Sequence, residues 1–266
     1  MRIVVKVGTS TLAHPTGRLN IRHVEELVKV LSDLKNAGHE VVLVSSGAIG
    51  MGVGKLNLSG RPSDMPTKQA AAAVGQCELM YTYDRLFTQY SHTVAQILLT
   101  GEDIDHPDRC HNVENTLGRL LELGVLPIIN ENDTVATSEI AVGDNDTLAA
   151  IVARCVDARL LILLSDIDGL YTADPRTDPT ATLIPVVEGV TAEIEALAAG
   201  KGSELATGGM ATKLHAARLC GMQGIDMVLT NGEHPDVLYD VVEGLPVGTR
   251  FLGRPMHPHQ HSVATI

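Results

Sequence analysis

Residues 1–10, MRIVVKVGTS, decide how this chain is read. Arg2–Val7 is a short β-branched run interrupted by one lysine, and a glycine and two hydroxyl residues follow at once. A strand that is apolar on both faces belongs in a sheet covered by helices on both sides. The pattern recurs in VVLVSSGAIG at 41–50 and LLILLSDIDG at 160–169. Strands are expected at Arg2–Val7, Glu40–Ser45, Val94–Leu99, Val125–Asn130, Arg159–Ser165 and Ile225–Thr230. Helices are expected at Ile21–Ala37, Lys68–Tyr90, Asp108–Leu123, Asp146–Val156, Gly209–Cys220 and Pro235–Val242. In the first, Val24, Leu27, Val28, Leu31 and Leu34 recur at three-to-four spacing, and Gly38 follows as a stop. Strands alternating with helices imply an α/β fold with a mostly parallel central sheet sandwiched by helices.

Composition narrows the function. The chain has 266 residues, 44% hydrophobic and 20% charged, which excludes a disordered chain. Aromatics are only 3%, so the core rests on Val, Leu, Ile and Ala, and no stacking platform for single strands is available. A net charge of −12 argues against nucleic acid as a partner. Cys77, Cys110, Cys155 and Cys220 form no CxxC pair, as expected of reduced thiols in a cytoplasmic protein. No segment has the pattern of a signal peptide or a membrane span.

The polar clusters begin where the expected strands end. Lys6-Val7-Gly8-Thr9-Ser10, Ser45-Ser46-Gly47-Ala48, Asn130-Glu131-Asn132-Asp133 and Ser165-Asp166 each close a strand. In open α/β sheets, ligands bind outside the carboxyl ends of the strands, so these segments converge on one edge. Lys6 is expected to reach an anion there or to extend to solvent. Gly8 lets a backbone N–H approach a phosphate. Ser46 to Gly52 reads as a flexible turn or as an anion cradle, and is not GxGxxG because Lys55 takes the third glycine position. Thr207-Gly208-Gly209-Met210-Ala211-Thr212-Lys213 opens a helix and offers N–H groups and a lysine to an anion. It is not a Walker A loop. Asp144, Asn145 and Asp146 precede an apolar helix and serve as caps or as carboxylates holding lysines.

Asn57–Thr67 reads as a loop, either a mobile flap or an ordinary connection. Thr137–Gly143 is expected to form a hairpin arm, and residues 253–266 a short polar tail with His257, His259 and His261.

The motifs KVGTS, SSGAIGMG, KQAAAAVGQ, LLT, NENDTVAT, VGDNDTLAA, SDIDGLYTADPR and TGGMATK occur in that order. Together they resemble the glutamate 5-kinase family of the amino acid kinase superfamily, over residues 1–252. The resemblance implies ATP-dependent phosphorylation of the γ-carboxylate of L-glutamate to L-glutamyl 5-phosphate, the first step of proline biosynthesis. It implies that Lys6 and Lys213 flank the transferring phosphoryl group, that Asp146 orients both, and that Gly8 and Gly47 donate to the phosphate. Ser46, Asp133, Asn145 and Asn130 match glutamate-binding positions. Lys6, Ser165, Asp166, Thr207, Gly208, Gly209, Met210, Ala211, Thr212 and Lys213 match nucleotide-binding ones. The implied cofactors are ATP and Mg²⁺, with Mg²⁺ carried on the ATP phosphates rather than on protein side chains. Family members are often inhibited by L-proline, which makes Asn57–Thr67 a candidate element of that response. They are often homo-oligomers, dimeric or tetrameric, for which the Lys68–Tyr90 helix is a candidate surface or, equally, simple core. Many carry a further C-terminal PUA domain, and this sequence ends soon after the kinase domain.

Three other readings compete. A kinase of N-acetylglutamate or carbamate would not want an acidic partner such as Asp133 for a free amine. A nucleotide-binding regulator would not need both lysines with Asp146. A Rossmann oxidoreductase lacks its fingerprint.

Overall fold

The computed structural model describes residues 1–14, 16–136, 145–198 and 209–253. Its strands are β1 (Arg2–Val7), β2 (Glu40–Ser45), β3 (Val94–Leu99), β4 (Leu126–Glu131), β5 (Leu160–Ser165), β6 (Val186–Val187), β7 (Asp226–Asn231) and β8 (Thr249–Phe251). Its helices are α1 (Thr9–Leu12), α2 (Ile21–Asn36), α3 (Ala48–Lys55), α4 (Met65–Thr88), α5 (Gly101–Asp105), α6 (Pro107–Glu122), α7 (Asn145–Cys155), α8 (Ala192–Ala198), α9 (Met210–Met222) and α10 (Val237–Glu243). The sheet order is β3-β4-β2-β1-β5-β7-β8-β6. The six longer strands run parallel, while β8 is antiparallel to β7 and parallel to β6.

The alternation of side chains along each strand divides the apolar residues between two layers. Val4, Val42, Val44, Ile129, Leu161 and Leu163 join one core, which α7 and α9 cover with Leu148, Ala149, Val152, Leu214 and Ala217. Ile3, Val5, Val7, Leu43, Ile128 and Ile162 join the other, covered by Val24, Leu27 and Leu31 of α2 and by Leu79, Tyr83 and Phe87 of α4. Each fully buried Val or Leu stabilises the fold by about 1.5–3 kcal/mol. Lys6 has the parity of Val4, so its side chain leaves β1 on the side of α7 and α9.

The segment after β2 corrects the sequence reading. Ser46 to Gly52 is not only a turn, because Ala48–Lys55 is the helix α3. It packs against α4 through glycines at very close approach. A Cβ on Gly52 would overlap the Ala71 carbonyl, and one on Gly75 the Ala48 carbonyl. The small-residue face of α4, with Ala71, Ala72 and Gly75 all buried, is therefore largely core. The same helix begins at Met65, with Asp64 capping the Thr67 N–H at 2.9 Å, so the connection from α3 is shorter than Asn57–Thr67. The expected arm at 137–143 and the tail beyond Gly253 lie outside the described residues.

Candidate active site

Three charged side chains, distant in sequence, meet beyond the carboxyl ends of the central strands. Asp146 stands in the first turn of α7 and is 1% exposed. Its Oδ1 receives Lys6 Nζ at 2.7 Å and its Oδ2 receives Lys213 Nζ at 3.0 Å. The Thr212 hydroxyl donates to Oδ2 at 3.2 Å. Burial alone would raise the Asp146 carboxyl, but the two ammonium groups override it and hold it below the usual carboxylate range. Lys213 lies in the first turn of α9, where the helix dipole disfavours a cation. The carboxylate offsets that cost and aligns both lysines.

The turns around this triad expose backbone donors. Gly47, at φ 106, is left-handed and caps α3 with no side-chain bond. Gly209 caps α9 without a side-chain bond either. Such uncapped helix starts leave N–H groups open to an anion. A Cβ on Gly8 would stand 3.6 Å from Lys6 Nζ, so the glycine keeps the space beside the ammonium clear. Met210 packs against the core, whereas Ala211 faces outward at the helix start.

A second group lies beside the triad. Asn145 Nδ2 donates to Ser46 Oγ at 2.6 Å and to Asn130 Oδ1 at 3.0 Å. Asn130 Nδ2 donates to Gln76 Oε1 at 3.0 Å. Asp133 lines a small recess with Ala48, Ala72, Gln76, Leu98 and Thr134. Burial raises the Asp133 carboxyl, and the positive charge of Arg61 opposes this only in part. A desolvated carboxylate of this kind gains from an incoming cation.

Ser165 and Asp166 stand apart from that recess. With Ser10, Thr11, Asn20, His23, Asn231 and Glu233 they line a cleft of about 250 Å³ over β1, β5 and β7. Ser165 Oγ donates to Asp166 Oδ1 at 3.1 Å. Burial lowers the His23 imidazole. Thr207 and Gly208 lie outside the described residues. Reading the sequence missed Gln76, whose signal was one amide on the apolar stripe Ala72, Leu79, Tyr83 of α4. Among the described residues, Cys110, Glu114 and Cys155 also bring possible metal ligands together. The Arg154 guanidinium already lies 3.4 Å from Cys110 Sγ and 4.0 Å from Cys155 Sγ, so a cation is already in place there.

Residues 1–231 match the amino acid kinase family. The chain belongs to that family. Curated relatives of this amino acid kinase include the glutamate 5-kinase of Listeria welshimeri, 52% identical over 95% of this chain and 93% of that one. The glutamate 5-kinase of Clostridium tetani is 55% identical over 94% and 93%, and that of Clostridium perfringens 51% identical over 95% and 96%. Among solved structures, the kinase resembles carbamate kinase from Giardia lamblia bound to AMP-PNP, with a TM-score of 0.68 at 18% identity over 94% of this chain and 98% of that one. UMP kinase from Bacillus anthracis gives 0.64 at 15% identity over 96% of both chains. Both likenesses concern the fold. No helix among the described residues is long and apolar enough to cross a membrane.

Proposed function

We propose that this kinase transfers the γ-phosphoryl group of ATP to the side-chain carboxylate of L-glutamate, giving L-glutamyl 5-phosphate and ADP at the entry to proline biosynthesis. A carboxylate oxygen forms the new bond to phosphorus while the bond to the β-phosphate oxygen breaks. The observation that carries the reading is the Asp146 carboxylate holding Lys6 and Lys213 at 2.7 and 3.0 Å. Both reactants are anions, and unit charges 4 Å apart repel by about 4 kcal/mol at an effective dielectric near 20. Two aligned ammonium groups, with N–H groups from the Gly8 and Gly47 turns, offset that repulsion and stabilise charge on the transferring oxygens. No general base is needed, since the acceptor is ionised at pH 7.

The nucleotide reading places ATP along Ser165, Asp166 and the start of α9, with Thr207–Lys213 around its phosphates. The hydroxyls of Ser10 and Thr11 and the carboxylates of Asp166 and Glu233 in that cleft are hard oxygen donors compatible with Mg²⁺. Mg²⁺ bound with the ATP phosphates would neutralise part of their charge, with these side chains facing it. Ser46 would donate to a glutamate carboxylate, with Asn130 and Asn145 framing that position, and Asp133 would take the α-ammonium. The half-buried, undercompensated Asp133 favours a free amine over an acetylated one. The test is Mg-ATP turnover with L-glutamate, N-acetylglutamate and L-aspartate in parallel, trapping acyl phosphate with hydroxylamine. Hydroxamate is expected with L-glutamate; its absence there would sink the proposal.

Two family expectations attach to this reading. One is inhibition by L-proline, with residues 57–64 between α3 and α4 as the responsive element; glutamate kinetics unmoved by L-proline would remove it. The other is assembly as a dimer or tetramer, which the mass in solution decides.

A further inference from the structure

We infer that Gln76 is a positioning residue for the acid substrate, acting at the Ser46 hydroxyl through a run of side-chain amides whose polarity is fixed. The inference rests on the glutamate-kinase reading and deepens it. The run joins Gln96, Gln76, Asn130, Asn145 and Ser46. It crosses the rim of the sheet, from α4 in one layer to α7 in the other.

The direction of every bond follows from one donor that cannot reverse. The Glu131 backbone N–H donates at 2.9 Å, so the Asn130 atom facing it is the carbonyl oxygen Oδ1. Asn130 Nδ2 must then be the group that meets Gln76, and Gln76 Oε1 accepts it at 3.0 Å. Gln76 Nε2 is left to donate to Gln96 Oε1, also at 3.0 Å. On the other side, Asn130 Oδ1 also accepts from Asn145 Nδ2, which gives its second hydrogen to Ser46 Oγ. Ser46 Oγ is thereby an acceptor within the run, and its own hydrogen is left for a ligand. A serine held in this state donates to a carboxylate oxygen and does not compete with it.

Burial makes the run consequential. Gln76 is 7% and Asn130 3% exposed, so water cannot readily replace a missing partner. Gln76 follows Gly75, whose lack of a side chain lets α4 press against the Ala48 carbonyl beside the Ser46-Gly47 turn. The helix that carries the amide is thus docked onto the turn that it orients. Without an acceptor at Gln76, Asn130 Nδ2 is left buried and unpaired, so the amide that positions Asn145 loses one of the bonds that hold it, and the aim of Asn145 at Ser46 loosens with it.

The test is a double-mutant cycle between Gln76→Met and Ser46→Ala, read as glutamate KM, ATP KM and kcat, with glutamate Kd by calorimetry alongside. Gln76→Met keeps the length and removes both hydrogen bonds. It is expected to raise glutamate KM and Kd about tenfold, as one lost buried hydrogen bond would, and to leave ATP KM unchanged. In the Ser46→Ala background the same change is expected to cost less than about twofold, because coupled sites are not additive. Gln76→Glu keeps the acceptor for Asn130 and is expected to stay closer to the parent than Gln76→Met; it carries the cycle if the methionine variant fails to fold. Factors that multiply across the cycle, an unmoved glutamate KM, or a glutamate variant as impaired as the methionine one would each overturn the inference. Glutamate binding without turnover would remove the kinase reading and leave the relay to be judged on Kd. Turnover with multiplying factors would remove the relay alone, and neither binding nor turnover would remove both.

Discussion

Replacing Asp146 by Asn tests the clamp directly. The substitution keeps the size of the side chain and removes its charge, leaving two ammonium groups without their shared counter-ion. Their side chains are 12% and 8% exposed, so solvent replaces little of what is lost. Breaking a buried ion pair costs about 3–5 kcal/mol. Because Lys6 keeps some solvent, the lower end applies, about 3 kcal/mol. For a domain of this size 1 kcal/mol moves Tm by about 2–4 °C, so a fall of about 6–12 °C is expected in thermal unfolding. The kcat should fall by about 10²–10³, as for loss of a positioned charge-stabilising donor. A bound polyphosphate supplies the missing anion, so Mg-ADP should raise Tm more in the variant than in the parent. The wild-type carboxyl is depressed below 3.8, so its contribution is present above that pH and is lost only as pH falls through the lowered value. A variant with parental Tm and kcat, and no enhanced response to Mg-ADP, would refute the reasoning.

Lys6→Met and Lys213→Met should each lower kcat by about 10²–10³ in the ADP-release assay, with a smaller loss of Tm than Asp146→Asn because the remaining ion pair persists. Asp133 has a raised pKa, so its charge is lost as pH falls through that raised value, and glutamate KM should climb on acidification from neutrality. Asp133→Asn should show a high glutamate KM with that climb abolished, which a pH series of initial rates would reveal. Gly52→Ala and Gly75→Ala each place a Cβ against a backbone carbonyl and should destabilise by about 1–3 kcal/mol or more. Gly118→Ala in α6, with nothing within 4 Å of its added Cβ, should instead gain up to about 1 kcal/mol of helix propensity in the same melts.

The six longer strands were legible as short apolar runs followed by polar residues, and β1 to β3 keep the boundaries read from sequence. The face of Lys6 was legible too, since strand parity places it with Val4. α3 was not. Its AIGMGVGK sequence carries glycines at 50, 52 and 54, which lower intrinsic helix propensity by about 1 kcal/mol each. Tertiary contact outweighs that preference, because the glycines at 52 and 75 are what permit α3 and α4 to touch. β6 and β8 are too short, at 2 and 3 residues, to leave a periodic signal. The start of α4 was available in the sequence, where Asp64 and Pro66 are an N-cap and a first-turn proline. Nothing local, by contrast, ties position 146 to positions 6 and 213. That pairing comes from the order of strands, which sets β1 beside β5.

This strand order also has a consequence for biosynthesis. The half of the sheet made first, β1 to β4, carries one of the clamp's cations, while the anion and the other cation belong to segments made later. At ribosomal speeds of about 5–20 residues per second, Lys6 is exposed on the nascent polymer for on the order of 10–40 s before Lys213 has been added. Until then no polypeptide fragment holds the complete charge set, so on the proposed mechanism phosphoryl chemistry would switch on late in translation, and severing the chain between the two halves should abolish it until the pieces reunite.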